Sequence, residues 1–305
     1  MPVLEVVMTN LTSHGLAILM TLFIAGSFLS AAELSGIIHP VALTLLRFIG
    51  AVIAFSPVIL TIPKHRSAIK KVLPKSLIIS LFYSVFFLCM FKSLETTTAL
   101  NTTALYTLVP FITAVLCFVF FRETISGYML NAYTMGTVGA MWVIFKGDIN
   151  TIFALSLNNG DLYFLMGCFS MAGFSIAMKT LYQGESMPAM VFCTLIGGAI
   201  WMALVLIFIG QPLEIDKIRE TDYFHILYLA LFATLFSTLI MQKITVQLGP
   251  TKVMAYVFMT PALVILLQFV LQGQSINSPI YPGIILSVIA TFYLQKVSTN
   301  KVKST

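Results

Sequence analysis

Apolar stretches near twenty residues recur from one end of the chain to the other, with only short polar connections between them. A helix needs about twenty such residues to cross ~30 Å of hydrocarbon. That ruler places spans at 13–33, 39–61, 76–94, 98–121 and 128–146 in the first half. The second half gives 159–182, 187–209, 223–242, 249–271 and 281–296. Length alone would admit about two soluble domains, yet 59% of the 305 residues are hydrophobic and 9% charged, against about 25% charged in soluble domains. With a mean hydropathy of +0.98, most of this surface has lipid as its solvent, and the expectation is one integral membrane domain.

The net charge of +6 does not point to nucleic acid. Such proteins gather Lys and Arg on one face beside aromatics, whereas here the basic residues sit between apolar segments and set topology. With the N-terminus inside, the inner segments collect Lys64, Arg66, Lys70, Lys71, Lys75, Arg122, Lys179, Lys243, Lys252, Lys296, Lys301 and Lys303. The outer ones collect Lys92, Lys146, Lys217 and Arg219, a bias of twelve to four, with Arg47 inside a span. Both termini are therefore expected in the cytoplasm, in a cytoplasmic (inner or plasma) membrane. The start of the chain lacks a basic n-region and a cleavage site, so the first span is expected to remain as a helix. Cys89, Cys117, Cys168 and Cys193 lie inside spans without CxxC spacing and read as small packing residues.

An internal repeat redefines the fold. At an offset of 147, Ala25-Gly26 falls on Ala172-Gly173; at 148, Pro40 falls on Pro188 and Gly50-Ala51 on Gly198-Ala199. At 150, Leu81-Phe82 meets Leu231-Phe232 and Phe86 meets Phe236; at 151, Met90, Lys92 and Pro110 meet Met241, Lys243 and Pro261. Each half holds five spans, an odd number, so the second copy enters the membrane in the opposite sense. The expected fold is an all-α membrane protein of ten transmembrane helices in two inverted five-helix repeats, 1–150 and 151–305. Secondary transporters use this design and bind solute near the midplane between repeats.

The residues also carry a resemblance. The run PVALTLLRF from Pro40, the stretch ALYTLVPFITAVLCFVFFRETIS from Ala104 and the run GDLYFLMGCFSMAGFSIAMKTL from Gly160 resemble the second helix, fourth helix and opening of the second half in EamA-type transporters of the drug/metabolite transporter superfamily. Glu123 is answered by Gln274 rather than an acid at the 151 offset, a departure from a symmetric pattern. The resemblance implies ten helices, a pathway lined mainly by the first, third, fourth, sixth, eighth and ninth of them, and metabolites such as amino acids as substrates.

Within the spans, Arg47 lies about ten ångströms from the outer end of the second at 1.5 Å per residue. A charge there costs at least ~2.5 kcal/mol unless paired or hydrated. It reads either as a solute anchor or gate charge, or as a structural tie to headgroups, helix-end carbonyls or Glu33. Ser27, Ser84, Thr103, Tyr106, Ser170, Thr234, Ser237 and Tyr256 place hydroxyls inside spans, with Phe174 as an apolar wall. As a set they form a candidate substrate-binding pocket; singly, each can bond its own i−4 carbonyl. Pro110 and Pro261 kink the fourth and ninth spans at matching positions, as hinges or as static bends. Gly26, Gly173 and Gly198 read as helix-packing residues.

No carboxylate lies at midspan, so coupling through a central proton carrier is not supported. His14, His39, His65 and His225 have no ligand spacing and no GxxxxGK[ST] occurs, so neither metal nor other cofactor is expected and the chain reads as no enzyme. The leading expectation is a secondary transporter of an amino acid or similar neutral or zwitterionic solute, with export the expected direction. An exchanger of an anionic or amphipathic solute is the alternative and an intramembrane enzyme the remote one. The partners expected are a small-molecule solute and the lipid bilayer, with the chain a monomer or weak homodimer.

Overall fold

The structure is a computed structural model describing residues 2–34, 36–97, 99–153, 158–273, 275 and 278–297. Gln274, Lys301 and Lys303 lie outside them. All regular structure among the described residues is helical: α1 (Pro2–Glu33), α2 (Pro40–Thr61), α3 (Pro63–Leu94), α4 (Ala99–Tyr106), α5 (Val109–Phe121), α6 (Gly127–Ile144) and α7 (Ile149–Phe153) come first. They are followed by α8 (Asn159–Leu181), α9 (Met187–Ile209), α10 (Asp222–Ala230), α11 (Ser237–Leu248), α12 (Pro250–Ala255), α13 (Thr260–Gln272) and α14 (Tyr281–Val297). A π-helical turn, Leu231–Phe236, joins α10 to α11, and a 3₁₀ turn, Tyr256–Met259, joins α12 to α13.

Local chemistry sets the helix ends. Pro occupies the first turn of α2, α3, α9 and α12, where its missing N–H costs nothing. Asn158 and Asp161 form a reciprocal capping box on α8. Gly210 closes α9 in the left-handed region, at φ +67°.

Nine segments among the described residues are long and apolar enough to cross a membrane. The remaining expected span is α6, whose Tyr128, Asn131, Tyr133, Thr134 and Thr137 dilute its apolar character. The third helix was expected over 76–94 and instead starts at Pro63, so its first three turns carry the basic run Lys64 to Lys75 beyond the apolar part.

The helices pair antiparallel. Phe48 of α2 fills the space at Gly198 of α9, while Phe55 meets Phe192 at 6.4 Å between ring centroids. Ser170 of α8 donates to the Phe82 carbonyl of α3 at 2.7 Å, with Gly167 against Phe86 and Cys89. Tyr228 of α10 donates to the Phe23 carbonyl at 3.2 Å and lies over Gly26. On α6, Gly139 abuts the backbone of Ser287 and Gly283 of α14. Thus α1 packs on α10–α11 as α8 packs on α3, and the sequence-matched pairs α2·α9 and α6·α14 pack on each other. Gly26, Gly173 and Gly198 all sit where an added Cβ would strike a ring, as their packing role requires.

The loop between α8 and α9 is anchored by Glu185, whose side chain is 2% exposed, 2.6 Å from Lys75 Nζ and 3.6 Å from Lys71 Nζ. It also accepts from the Gln183 N–H at 2.7 Å. The Lys75 hydrogen bond pulls its pKa from 4.5 down to about 2. A depressed folded-state pKa contributes stability that is complete above the unfolded value and is lost as pH falls through the folded one. Thermal stability is therefore expected to fall between about pH 4.5 and 2, and Glu185→Gln to flatten that part of the profile. An unchanged profile in the variant would remove Glu185 as the cause.

Candidate functional site

The centre of the molecule is shaped by two prolines. A helical carbonyl at position i accepts from the N–H of i+4, and proline has none. Pro110 thereby deprives the Tyr106 carbonyl of its helical donor, and Pro261 does the same to Val257. Tyr106 and Val257 are themselves 151 residues apart, the offset of the two prolines. At the first site the helix stops at Tyr106 and restarts at Val109; at the second it passes through the 3₁₀ turn and restarts at Thr260. Hydroxyls from neighbouring helices meet carbonyls beside each interruption, Thr137 Oγ1 to Thr107 O at 3.4 Å and Thr291 Oγ1 to Ala255 O at 3.3 Å.

Against these interruptions lies a cavity of about 220 Å³. One face of α13 lines it with Thr260, Pro261, Val264, Ile265 and Gln268, the one-turn spacing of a helix face. Thr103, Tyr106 and Thr107 form the facing wall, and Phe28, Val143 and Ile144 add apolar surface. Exposed Phe28 and Lys146 mark its mouth. A void of about 20 Å³, room for about one water, lies beyond and is lined by Met20, Met171, Met241 and Met254. Tyr106, Val257 and Thr260 line both spaces, so they form the partition. Toward the N-terminal side of α1, Ser13 donates to Gln247 at 2.9 Å and His14 and Tyr256 share a 2.8 Å hydrogen bond.

Arg47 lies apart from both spaces and faces into the bundle. Its Nε donates to Thr234 Oγ1 at 3.1 Å and its guanidinium lies 5.4 Å from the Phe87 ring centroid. Thr234 belongs to the π-helical turn. Among the described residues no carboxylate, Glu33 included, is within ion-pair distance of Arg47.

Of the residues singled out in the sequence, Thr103, Tyr106 and Pro261 line the cavity. Arg47 and Thr234 meet each other, and Tyr256 meets His14. Phe174 packs on Tyr83 at 5.0 Å, and the buried Ser84 hydroxyl makes no hydrogen bond. Ser27 bonds back to Ile24 in its own helix and Ser237 to Ala233 in the adjoining π-helical turn, and Ser170 ties α8 to α3. The linings come from α1, α4, α6, α8 and α11 to α13, with α6 contributing and α3 absent.

Lys146, Val257, Thr260 and Gln268 were missed. Val257 lies one turn before Pro261, Thr260 directly precedes it and Gln268 lies two turns after it, a spacing available in the sequence. Asp161 was also passed over: it is 2% exposed and accepts from Thr97 Oγ1 at 2.5 Å and the Asn158 N–H at 2.8 Å, tying the start of α8 to the entry of α4.

A solved structure described as "Crystal structure of protein" superposes with a TM-score of 0.74 at 14% identity, covering 94% of this chain and 98% of that one; the fold is shared. The "Uncharacterized transporter YyaM" of Bacillus subtilis (strain 168) is 22% identical over 181 residues, a segment spanning 59% of this chain and 59% of that protein. Two segments, residues 11–145 and 158–295, match the EamA-like transporter family, and together they take in nearly all the helices described above. The chain belongs to the EamA-like transporter family.

Proposed function

We propose that this protein is a secondary transporter that moves a small organic metabolite by alternating access. It is read as ten spans in two inverted five-helix repeats, 1–150 and 151–305, in the plasma membrane with both termini cytoplasmic and as a monomer or weak homodimer. The observation that carries this is the partition. Two helices interrupted at positions 151 apart converge on the wall between a cavity open beside Lys146 and a side where Ser13 bonds Gln247 and His14 bonds Tyr256. Discontinuous helices at a repeat interface are where such proteins place substrate. The self-pairing of α2·α9 and α6·α14 supports the inverted two-fold, and the positive residues support the orientation.

Purified protein in liposomes is expected to drive solute counterflow for members of a broad metabolite panel. No flux for any member with correctly inserted protein would overturn the reading. The interruptions supply a second check. Pro110→Ala restores an N–H that the Tyr106 carbonyl can accept, a gain of about 1 kcal/mol, or ~2–4 °C in Tm; Pro261→Ala is expected to gain less, because the Val257 carbonyl already accepts from the Thr260 N–H. Flux is expected to fall at least tenfold as the helix straightens. A variant with raised Tm and unaltered flux would show that the bend plays no part in transport.

A further inference from the structure

The charge inventory of the cavity bears on its substrate. Its lining has one ionisable group of fixed charge, Lys146, and no Asp or Glu. Lys146 is exposed, and among the described residues it has no ion-pair partner. The nearest acid in sequence, Asp148, is turned into the start of α7, where it accepts from the Asn150 N–H at 2.9 Å and Thr151 Oγ1 at 2.6 Å. Glu95 and Glu214 are held by Lys92 and Lys217, each at 2.6 Å, and Asp222 by Arg219 at 2.9 Å. Asp161 is occupied by Thr97 and Asn158. Lys146 also holds φ +54°, a left-handed conformation that costs a residue with a Cβ of order 1 kcal/mol, where glycine would be unstrained.

Inward of Lys146 and Phe28 the walls are mainly apolar, with Val143, Ile144, Val264 and Ile265; Thr103 and Gln268 add polar side chains, and Tyr106 and Thr260 stand at the partition with Thr107 beside them. From Thr260 to Gln268 the wall rises about 12 Å at 1.5 Å per residue. A solute with its charged end at Lys146 therefore lays an apolar body along α13. A carboxylate at the mouth gains a charge-assisted hydrogen bond. An ammonium placed there meets a like charge and no acid in the cavity lining. In an α-amino acid the ammonium is fixed beside the carboxylate and cannot reach the partition instead.

Building on the transport reading, we infer that the cavity selects an organic anion, a monocarboxylate with an apolar body, over the corresponding zwitterion or amine. This departs from the zwitterionic solute expected from the span hydroxyls.

The test uses purified full-length protein in detergent and compounds sharing one body with different heads: phenylacetate, phenylalanine, phenethylamine and 2-phenylethanol, with isobutyl and indole series alongside. Binding is read by thermal shift and titration. In at least one series the carboxylate is expected to bind at least tenfold more tightly than its zwitterion and amine. Lys146→Gln is expected to abolish that ratio, and Lys146→Glu to invert it toward the amine. Equal or tighter binding of amine or zwitterion, no carboxylate binding in any series, or an undiminished ratio in Lys146→Gln would each overturn the assignment. Counterflow in liposomes separates the two claims. Head-group selectivity without flux of any solute defeats the transport reading and leaves the ligand class standing, whereas flux of amines or zwitterions alone does the reverse.

Discussion

Gly139→Val is expected to yield little or no folded protein. A Cβ at Gly139 would lie 2.7 Å from Ser287 N and 3.0 Å from Gly283 O, and one at Gly283 would lie 2.7 Å from Gly139 O. These are backbone atoms, so no side-chain rotation relieves the clash. Next to this contact, Gly136 of α6 abuts the Phe258 ring of the 3₁₀ turn, so α6 has little room to shift. In lipid, helices associate by close van der Waals packing around small residues, so widening this contact removes the force that holds it. Overpacking costs ~1–3 kcal/mol even where a core can adjust, and here both surfaces are main chain. The measure is monodisperse yield on size exclusion in detergent and the Tm of what survives. Gly15→Val is the control, since nothing lies within 4 Å of its added Cβ. A Gly139→Val protein with the yield and Tm of that control would show that the two helices can separate without loss.

Arg47→Met is expected to abolish at least nine-tenths of the flux while leaving Tm unchanged or slightly raised. The guanidinium has one neutral hydrogen bond, to Thr234, and one ring contact, to Phe87. Such company does not repay the desolvation of a cation, and an apolar residue of similar length often packs there at no loss or with a gain of ~1–4 kcal/mol. A charge kept at a cost to stability points to use. Arg47→Lys keeps the charge but loses the planar, delocalised group that spreads over Phe87, so partial flux is expected. If Arg47→Met unfolds the protein while Thr234→Val does not, or if flux survives, Arg47 is a structural tie.

The helical segments were legible because hydrophobic length is a direct physical requirement of the bilayer, and no loop sequence imitates twenty apolar residues. The start of α3 was not, because Lys64 to Lys75 forms a good helix in water and hydropathy sees only the part in lipid. The two interruptions could be read from Pro110 and Pro261, whose chemistry acts on their own backbone. Their consequence, a partition made by Tyr106, Val257 and Thr260, could not, since it depends on α4 and α12–α13 meeting across the bundle. The hydroxyl set was the least legible. Ser27 and Ser237 spend their donors on carbonyls three or four residues back, and sequence does not distinguish them from Thr103, which lines the cavity. Lys146 looked like one more loop lysine until the cavity mouth was seen beside it.

The π-helical turn at Leu231–Phe236 bears on the drift between the two copies. Their offset is 150 at Phe86 and Phe236, and 151 at Met90 and Met241, so the second copy gains one residue just after this turn. An extra residue in a regular helix would rotate everything after it by about 100°; the wider turn directly before it advances less per residue and offsets that rotation. The matching stretch of α3 is an unbroken α-helix. Two halves that differ here, beyond the earlier drift from 147 to 150, are unequal partners. In the alternating-access cycle proposed above, in which the halves trade shapes, the forward and return poses would then differ in energy, and the resting population would be weighted toward one side of the membrane before any solute binds.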